Sequence, residues 1–390
     1  MCARVRKYGI LFAALLIAVS CTDEDAVGVE PGTSAPSGVP ITFRCAADEA
    51  ETRAVNGYTG NLTTTNHQLR YAGFGVFMAH TTGTIPDLMY NQQVEYTFFG
   101  DGSGDGYWTY SPVKYWPAQP EGVCFYAYAP YVEVPAADFA DDPDNTGIVG
   151  VSANNMASPY ILYARAKHPE HHVDLLWKYL RVTAAMLTDG RPKMSEAVTL
   201  EMHHALSRVK VSLGITNGAS LAVGSKLLIK RVTFTGSVAR TARLDLSSDK
   251  NGSDQYIPTW TNHDLQATTI FVDGDPETNT DSYGIIAEGI RYIAGLPAAW
   301  QPTGLPHVNY DAENDATKTN LLCMGDAPTY LYLIPQAELA LTCVLDYCII
   351  ASDGTKTDYS KTINNPPGHT FSIAPLNGNT TYDVTLKITI

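Results

Sequence analysis

The sequence predicts an all-β protein built as two tandem β-sandwich domains, and three observations carry that reading. Charged residues are only 17% of the 390, while Tyr (23), Gly (31) and Pro (23) are abundant, a balance that suits strands and turns better than charged helices. Apolar residues recur at every second position in many short segments, whereas periods near 3.6 are scarce. The length, with 45% hydrophobic residues, exceeds one ordinary sandwich and supplies two cores.

The first twenty residues form a leader. Arg4, Arg6 and Lys7 make a basic start, and Ile10 to Val19 is an apolar run too short to span a bilayer. It closes on Ile17-Ala18-Val19-Ser20-Cys21, where small residues before a cysteine resemble the lipobox of lipoprotein precursors. Ala18 stands where that pattern usually has Leu, with Ile17 one place earlier. Residues 1–20 are thus expected to be a signal peptide and Cys21 the lipidated N-terminus. After their removal the chain keeps 23 Lys and Arg against 40 Asp and Glu, a net charge of −17 that disfavours nucleic acid as a partner. Thr22-Asp23-Glu24-Asp25 resembles the surface-export signal of Bacteroidetes lipoproteins, and the Gly-, Ser- and Pro-rich composition up to Pro40 makes 21–40 a flexible tether.

The first domain is expected over 41–196. Ile41-Thr42-Phe43-Arg44-Cys45 alternates and reads as a short strand, followed by the polar stretch Asp48 to Asn66. Tyr71 to Ala79 is a strand whose glycines, Gly73 and Gly75, let neighbours approach closely. Gln93 to Phe99, Gly106 to Tyr110 and Gly122 to Ala129 continue at sandwich spacing. Glu170 to Met186 reads either as a helix or, at Val173 to Trp177, as a buried strand.

The second domain is expected over 197–390. Val209, Val211, Leu213 and Ile215 alternate cleanly, and strands follow at Lys226 to Thr235, Ala242 to Leu246, Tyr330 to Pro335, Leu341 to Ile350 and Phe371 to Ile373. Asp249 to Gly325 reads as a long irregular insertion. Tyr382 to Ile390 places Val384, Leu386, Ile388 and Ile390 on one face, a closing or donor strand. Cys343 and Cys348, an odd separation apart, cannot bridge each other in a strand, and the cysteines after Cys21 read as small buried apolar residues.

Chemistry-bearing motifs are lacking. There is no Gly-x-Ser-x-Gly, phosphate-binding Gly-x-x-x-x-Gly-Lys or His-Glu-x-x-His. Asp101, Ser103, Asp105 and Gly106 open like a calcium loop, but Pro112 stands where the bidentate Glu belongs. Asp273, Asp275, Glu277, Asn279 and Asp281 read as a solvated loop, and His168, His171, His172, His203 and His204 lack partners at zinc spacing. No catalytic residue, cofactor or metal is assigned; a hydrolase built on two distant carboxylates is the enzymatic alternative.

Several segments, in order, resemble the fimbrillin family of Bacteroidales. They are the lipobox at Cys21, Ile41-Thr42-Phe43, Glu51-Thr52-Arg53-Ala54, and Gly73 to Phe77. Tyr115-Trp116-Pro117 follows, then Val123 to Tyr131, Asp174-Leu175-Leu176, His204 to Val211 and Leu333-Ile334-Pro335-Gln336. The resemblance implies transthyretin-like sandwiches, outer-membrane tethering of the precursor, surface display, and assembly with other subunits into an adhesive fimbria by strand exchange. It also implies cleavage after Arg53 by an Arg-specific protease, which would free the strand bearing Ile41, Phe43 and Cys45; Arg44 is a second candidate. A tip or accessory subunit that contacts a glycan or protein receptor is the expectation over a stalk subunit, because nothing follows Ile390. The competing readings are a stand-alone carbohydrate-binding surface lipoprotein and a fimbrial anchor that is not cleaved.

Overall fold

The computed structural model describes residues 39–389, apart from 48–67, 82–87, 102–104, 118–121, 134–146, 152–158, 166–172, 184, 187–196, 217–225, 250–254, 273–284, 288–318, 321–322, 325–326, 329–330 and 364–370. Cys21, Arg53, Ile390, the 273–281 acidic run and His168, His171 and His172 therefore lie outside the described residues. Among those described, one short helix accompanies the strands.

The first half contains β1 (Phe43–Ala47), α1 (Gln68–Ala72), β2 (Phe74–His80), β3 (Met89–Phe98), β4 (Gly106–Thr109) and β5 (Val123–Ala129). It continues with β6 (Gly147–Val151), β7 (Tyr160–Ala164), β8 (Leu176–Val182) and β9 (Val198–His204). Then come β10 (Ser207–Thr216), β11 (Lys226–Asp245), β12 (Thr259–Val272), β13 (Ile285–Ala287), β14 (Thr319–Asn320), β15 (Cys323–Met324) and β16 (Ala327–Pro328). The last are β17 (Leu331–Leu333), β18 (Leu339–Ile350), β19 (Lys356–Ile363), β20 (Phe371–Ile373) and β21 (Thr380–Thr389). The all-β class holds, and within 170–186 the strand is Leu176–Val182, starting later than the expected 173–177.

A seven-stranded sheet runs β1-β9-β8-β5-β2-β3-β4. Another runs β13-β12-β11-β18-β19, with β20 on β18 and the β6–β7 hairpin on β11. In a third, β14 and β17 pair with β10, and so does β21. Pairing crosses the boundary expected at 196/197 in both directions: β9 joins the first sheet, while β7 pairs with the end of β18's neighbour β11 from Thr241↔Ala164 to Asp245↔Tyr160. Residues 38–390 form one compact unit. The 249–325 insertion needs correcting too, because β12 lies within it and pairs along β11 from Val232↔Val272 to Asp245↔Thr259.

The cores explain the sequence pattern. β2 and β5 are buried on both faces, which is why they read as continuous apolar runs rather than alternating ones. Phe74, Val76, Met78 and Phe125 enter one cluster with Ile41 and Phe43, while Phe77, Tyr126 and Tyr128 enter a middle cluster with Tyr163, Leu244 and Ile334. The third cluster joins Val209, Val211, Phe234, Leu341, Cys343, Leu345 and Leu386. Cys45, Cys124, Cys343 and Cys348 are buried, as small apolar residues would be.

Gly75 meets its expected need for close approach: a Cβ there would lie 2.4 Å from the Tyr128 ring. That ring is fully buried, and its hydroxyl donates to Asn91 Oδ1 at 2.6 Å, so it has little room to yield. Gly75→Ala is expected to destabilise the protein by about 1–3 kcal/mol through overpacking, read as a lower urea midpoint with an unchanged slope.

Candidate functional site: the N-terminal strand

β1 ends the first sheet. Its partner is β9, in parallel, from Phe43↔Val198 to Ala47↔Met202. The residues just before it turn to a different partner: the Ile41 N–H donates to the Lys114 carbonyl at 2.9 Å, and the Trp116 N–H donates to the Val39 carbonyl at 3.0 Å. Tyr110 adds its hydroxyl, which donates to the Ile41 carbonyl at 2.8 Å. Burial pushes that hydroxyl's pKa up, so it stays a neutral donor. One short segment thus closes the seam between the β9 edge and the chain that follows β4.

Alternation does the rest. Ile41, Phe43 and Cys45 are buried, at 1%, 4% and 1% exposure, while Thr42 and Arg44 face solvent. Phe43 makes edge-on contacts with Phe74 at 5.9 Å and Phe125 at 6.0 Å, and meets Tyr110 at 5.5 Å. Trp116 packs on Phe125 from the other side at 5.9 Å. Burial also pushes the Cys45 thiol well up, leaving it protonated and unreactive while the strand is seated. The Tyr115-Trp116-Pro117 and Val123 to Ala129 motifs therefore make the groove in which β1 lies.

Other motif residues meet away from this groove. His204 Nδ1 lies 2.6 Å from Asp174 Oδ2, both buried, in an ion-pair contact without good hydrogen-bond alignment. No spacing in the sequence points to this carboxylate partner, which pairing of β8 with β9 brings across at Leu176↔His204. Next to it, Lys178 Nζ is 3.1 Å from His203 Nε2, and His203 stacks on Tyr256 at 3.6 Å. Gln336 accepts from the Ala239 N–H at 3.0 Å and donates to the Ser237 carbonyl at 3.1 Å. The Gln336 contacts tie the segment after β17 to β11, while the Asp174–His204 and Lys178–His203 contacts join the β8 and β9 segments of one sheet. Among the described residues no group of three or more His, Cys, Asp or Glu is arranged to hold a metal.

At the far end, β21 runs parallel to β10 through ten register positions, from Ser207↔Thr380 to Thr216↔Thr389. Leu386 is buried at 3% and Val384 is half-buried against the third core. The backbone of Ile388 is in register with Ile215.

The geometry defines an all-β protein whose first strand is an edge element supplying core side chains from the end of its sheet. The family model described as Fimbrillin-like matches residues 52–390, and the chain belongs to that family. It is 28% identical over 140 residues to the fimbrium subunit Fim1C of Phocaeicola vulgatus; the match covers 34% of this chain and 32% of that protein, so the chain spans about a third of that relative's length. The crystal structure of a fimbrial protein from Bacteroides vulgatus superposes with a TM-score of 0.51 at 16% identity, covering 90% of this chain and 95% of that one. That likeness shows a shared fold.

Phe43→Ala is expected to cost about 3–5 kcal/mol in urea unfolding, because it removes a ring from a closed cluster. Arg44→Ala, one residue on and exposed, is expected to stay within about 0.5 kcal/mol of the parent.

Proposed function

We propose that the chain is a subunit of an adhesive surface fimbria, carried to the outer membrane as a precursor lipidated on Cys21 and assembled by β-strand exchange. The observation that carries this reading is the placement of β1 at the end of its sheet, with Ile41, Phe43 and Cys45 buried in the core. An edge strand can leave without breaking a ladder between two remaining strands, and an extended segment of a second subunit can then take over both its backbone bonds and its pockets. Cleavage after Arg53 would release β1 together with the tether and lipid.

The groove sets the requirements for its replacement. The incoming segment needs backbone partners for Val198 and Trp116, an apolar residue at every second position, and a large one where Phe43 sits. Burying Ile41 and Phe43 is worth about 1.5–3 kcal/mol each, so an empty groove strongly favours capture. β21 is engaged by β10 over its whole register, which supports a closing role for it, and a tip or accessory position over a stalk position that donates this strand.

Trypsin treatment of the precursor lacking residues 1–20 tests the proposal. The expected outcome is a cut at Arg53, loss of residues 21–53 from the product, alkylation of Cys45 by iodoacetamide only once its peptide has left, and a ladder of oligomers. A precursor that resists cleavage there and stays monomeric would instead support an uncleaved anchor or a stand-alone surface lipoprotein, and one that is cut but retains the peptide and forms no oligomers would count against strand exchange.

A further inference from the structure

A second feature lies away from the β1 groove, where β3 runs past the beginning of β2. A pocket of about 230 Å³ opens there, lined by Arg70, Tyr71, Gln93, Glu95, Tyr96 and Phe98. Tyr71 is 71% exposed, yet its ring is set against Phe98 at 5.4 Å. Phe98 in turn meets Tyr96 at 5.0 Å, and Tyr96 meets Trp108 at 5.1 Å, the last of these packed on the first core. The Arg70 guanidinium lies 4.7 Å over the Tyr96 ring. Single exposed aromatics are ordinary on protein surfaces. A connected series that is anchored at its inner end and open at its outer end is a preformed contact surface.

The polar side of the pocket is ordered as well. Gln93 Nε2 donates to Glu95 Oε1 at 2.7 Å. That bond orders two planar groups that line the pocket and leaves the Gln93 amide oxygen and the second Glu95 oxygen as acceptors. The pocket therefore presents the exposed Tyr71 ring, tilted by 34° against Phe98, with these acceptors among its lining, in a volume below the roughly 300–1,000 Å³ of sites for drug-sized ligands.

We propose that this pocket binds one pyranose ring of a neutral glycan. A pyranose has one face of C–H groups and a rim of hydroxyls. The C–H face carries partial positive charge and matches the negative face of an aromatic ring, here Tyr71 with Phe98 beside it. Two adjacent hydroxyls donate to Gln93 and Glu95. Glu95 and Arg70 both line the pocket, so their formal charges cancel and it offers no net attraction to the carboxylate of an acidic sugar. The assignment does not depend on strand exchange, since the pocket shares no residue with β1 or with the backbone groups that bind it.

Saturation-transfer NMR on the chain lacking residues 1–20 tests this directly, using the methyl glycosides of glucose, galactose, mannose and N-acetylglucosamine, with methyl glucuronide as the charged comparison. At least one neutral glycoside is expected to bind, with strongest transfer to the protons of one ring face. Tyr71→Ala and Gln93→Ala are each expected to weaken it by about tenfold or more in calorimetry, while Tyr359→Ala, an exposed tyrosine on β19, leaves it unchanged. Circular dichroism and urea midpoints confirm that the exposed substitutions keep the fold. Binding of none of the neutral glycosides, a preference for the glucuronide, or parent-like affinity in Tyr71→Ala would overturn the proposal.

Discussion

Phe43 completes a cluster whose other rings, Phe74, Phe125 and Tyr110, come from the body of the first sheet, and it reaches them from the sheet's end. Much else follows from that constraint. Without β1 the cluster would be open to water, and backbone groups on two sides, Val198 on β9 and Lys114 and Trp116 after β4, would lose their partners together. Unpaired buried backbone groups and exposed aromatic surface are each costly. The groove is therefore stable only when filled, and only an extended chain supplies both a ladder and alternating side chains.

The strand exchange proposed above would require the remainder of the fold to stay rigid, and the middle core supplies that rigidity. β2, β5 and β8 present one face to the first core and the other to the middle one, where β7, β11 and the Tyr332–Ile334 segment meet them. Polar contacts lock the same junction. The Tyr163 hydroxyl on β7 donates to the Val173 carbonyl ahead of β8 at 2.5 Å, and the Trp260 indole N–H on β12 donates to the Ala205 carbonyl after β9 at 3.0 Å. Gln336, after β17, accepts from the Ala239 N–H and donates to the Ser237 carbonyl, both on β11. Apolar packing alone tolerates sliding of one sheet over another, whereas directional buried bonds specify a single arrangement.

What the sequence made legible were the segments where one rule acts alone. The 41–45, 209–215 and 382–390 alternations became β1, β10 and β21 because each has one apolar face, and Gly75 was readable because only contact with a ring or backbone demands a missing side chain there. β19 was not readable: Lys356-Thr357-Asp358-Tyr359-Ser360-Lys361-Thr362 is exposed on both faces, so no period marks it. The first half of β12 failed for the same reason, its residues from Thr259 to Leu265 being largely solvent-facing and held by the β11 ladder rather than by burial. The boundary at 196/197 failed because partner choice is nonlocal. Nothing within Val198–His204 says that it pairs back to β8 and β1, and nothing near Asp174 announces His204.

The aromatic pocket was illegible for another reason: Tyr71, Gln93 and Phe98 become neighbours only where α1 turns through Gly73 into β2, against β3. Gly73 adopts a φ of +66°, and a Cβ there would meet the Val94 carbonyl oxygen at 2.7 Å, so this turn admits little except glycine. The turn fixes Tyr71 over Phe98, and the rings behind it, Tyr96, Trp108 and Phe74, continue inward to Phe43. A binding surface built this way spends little ordering entropy when a ligand arrives, because its rings are already held by contacts made for folding. The aromatic residues that make the first core dependent on β1 are in part those that hold the pocket open, which explains why so polar a hairpin as β3–β4 keeps Tyr96, Phe98 and Trp108 at its margin.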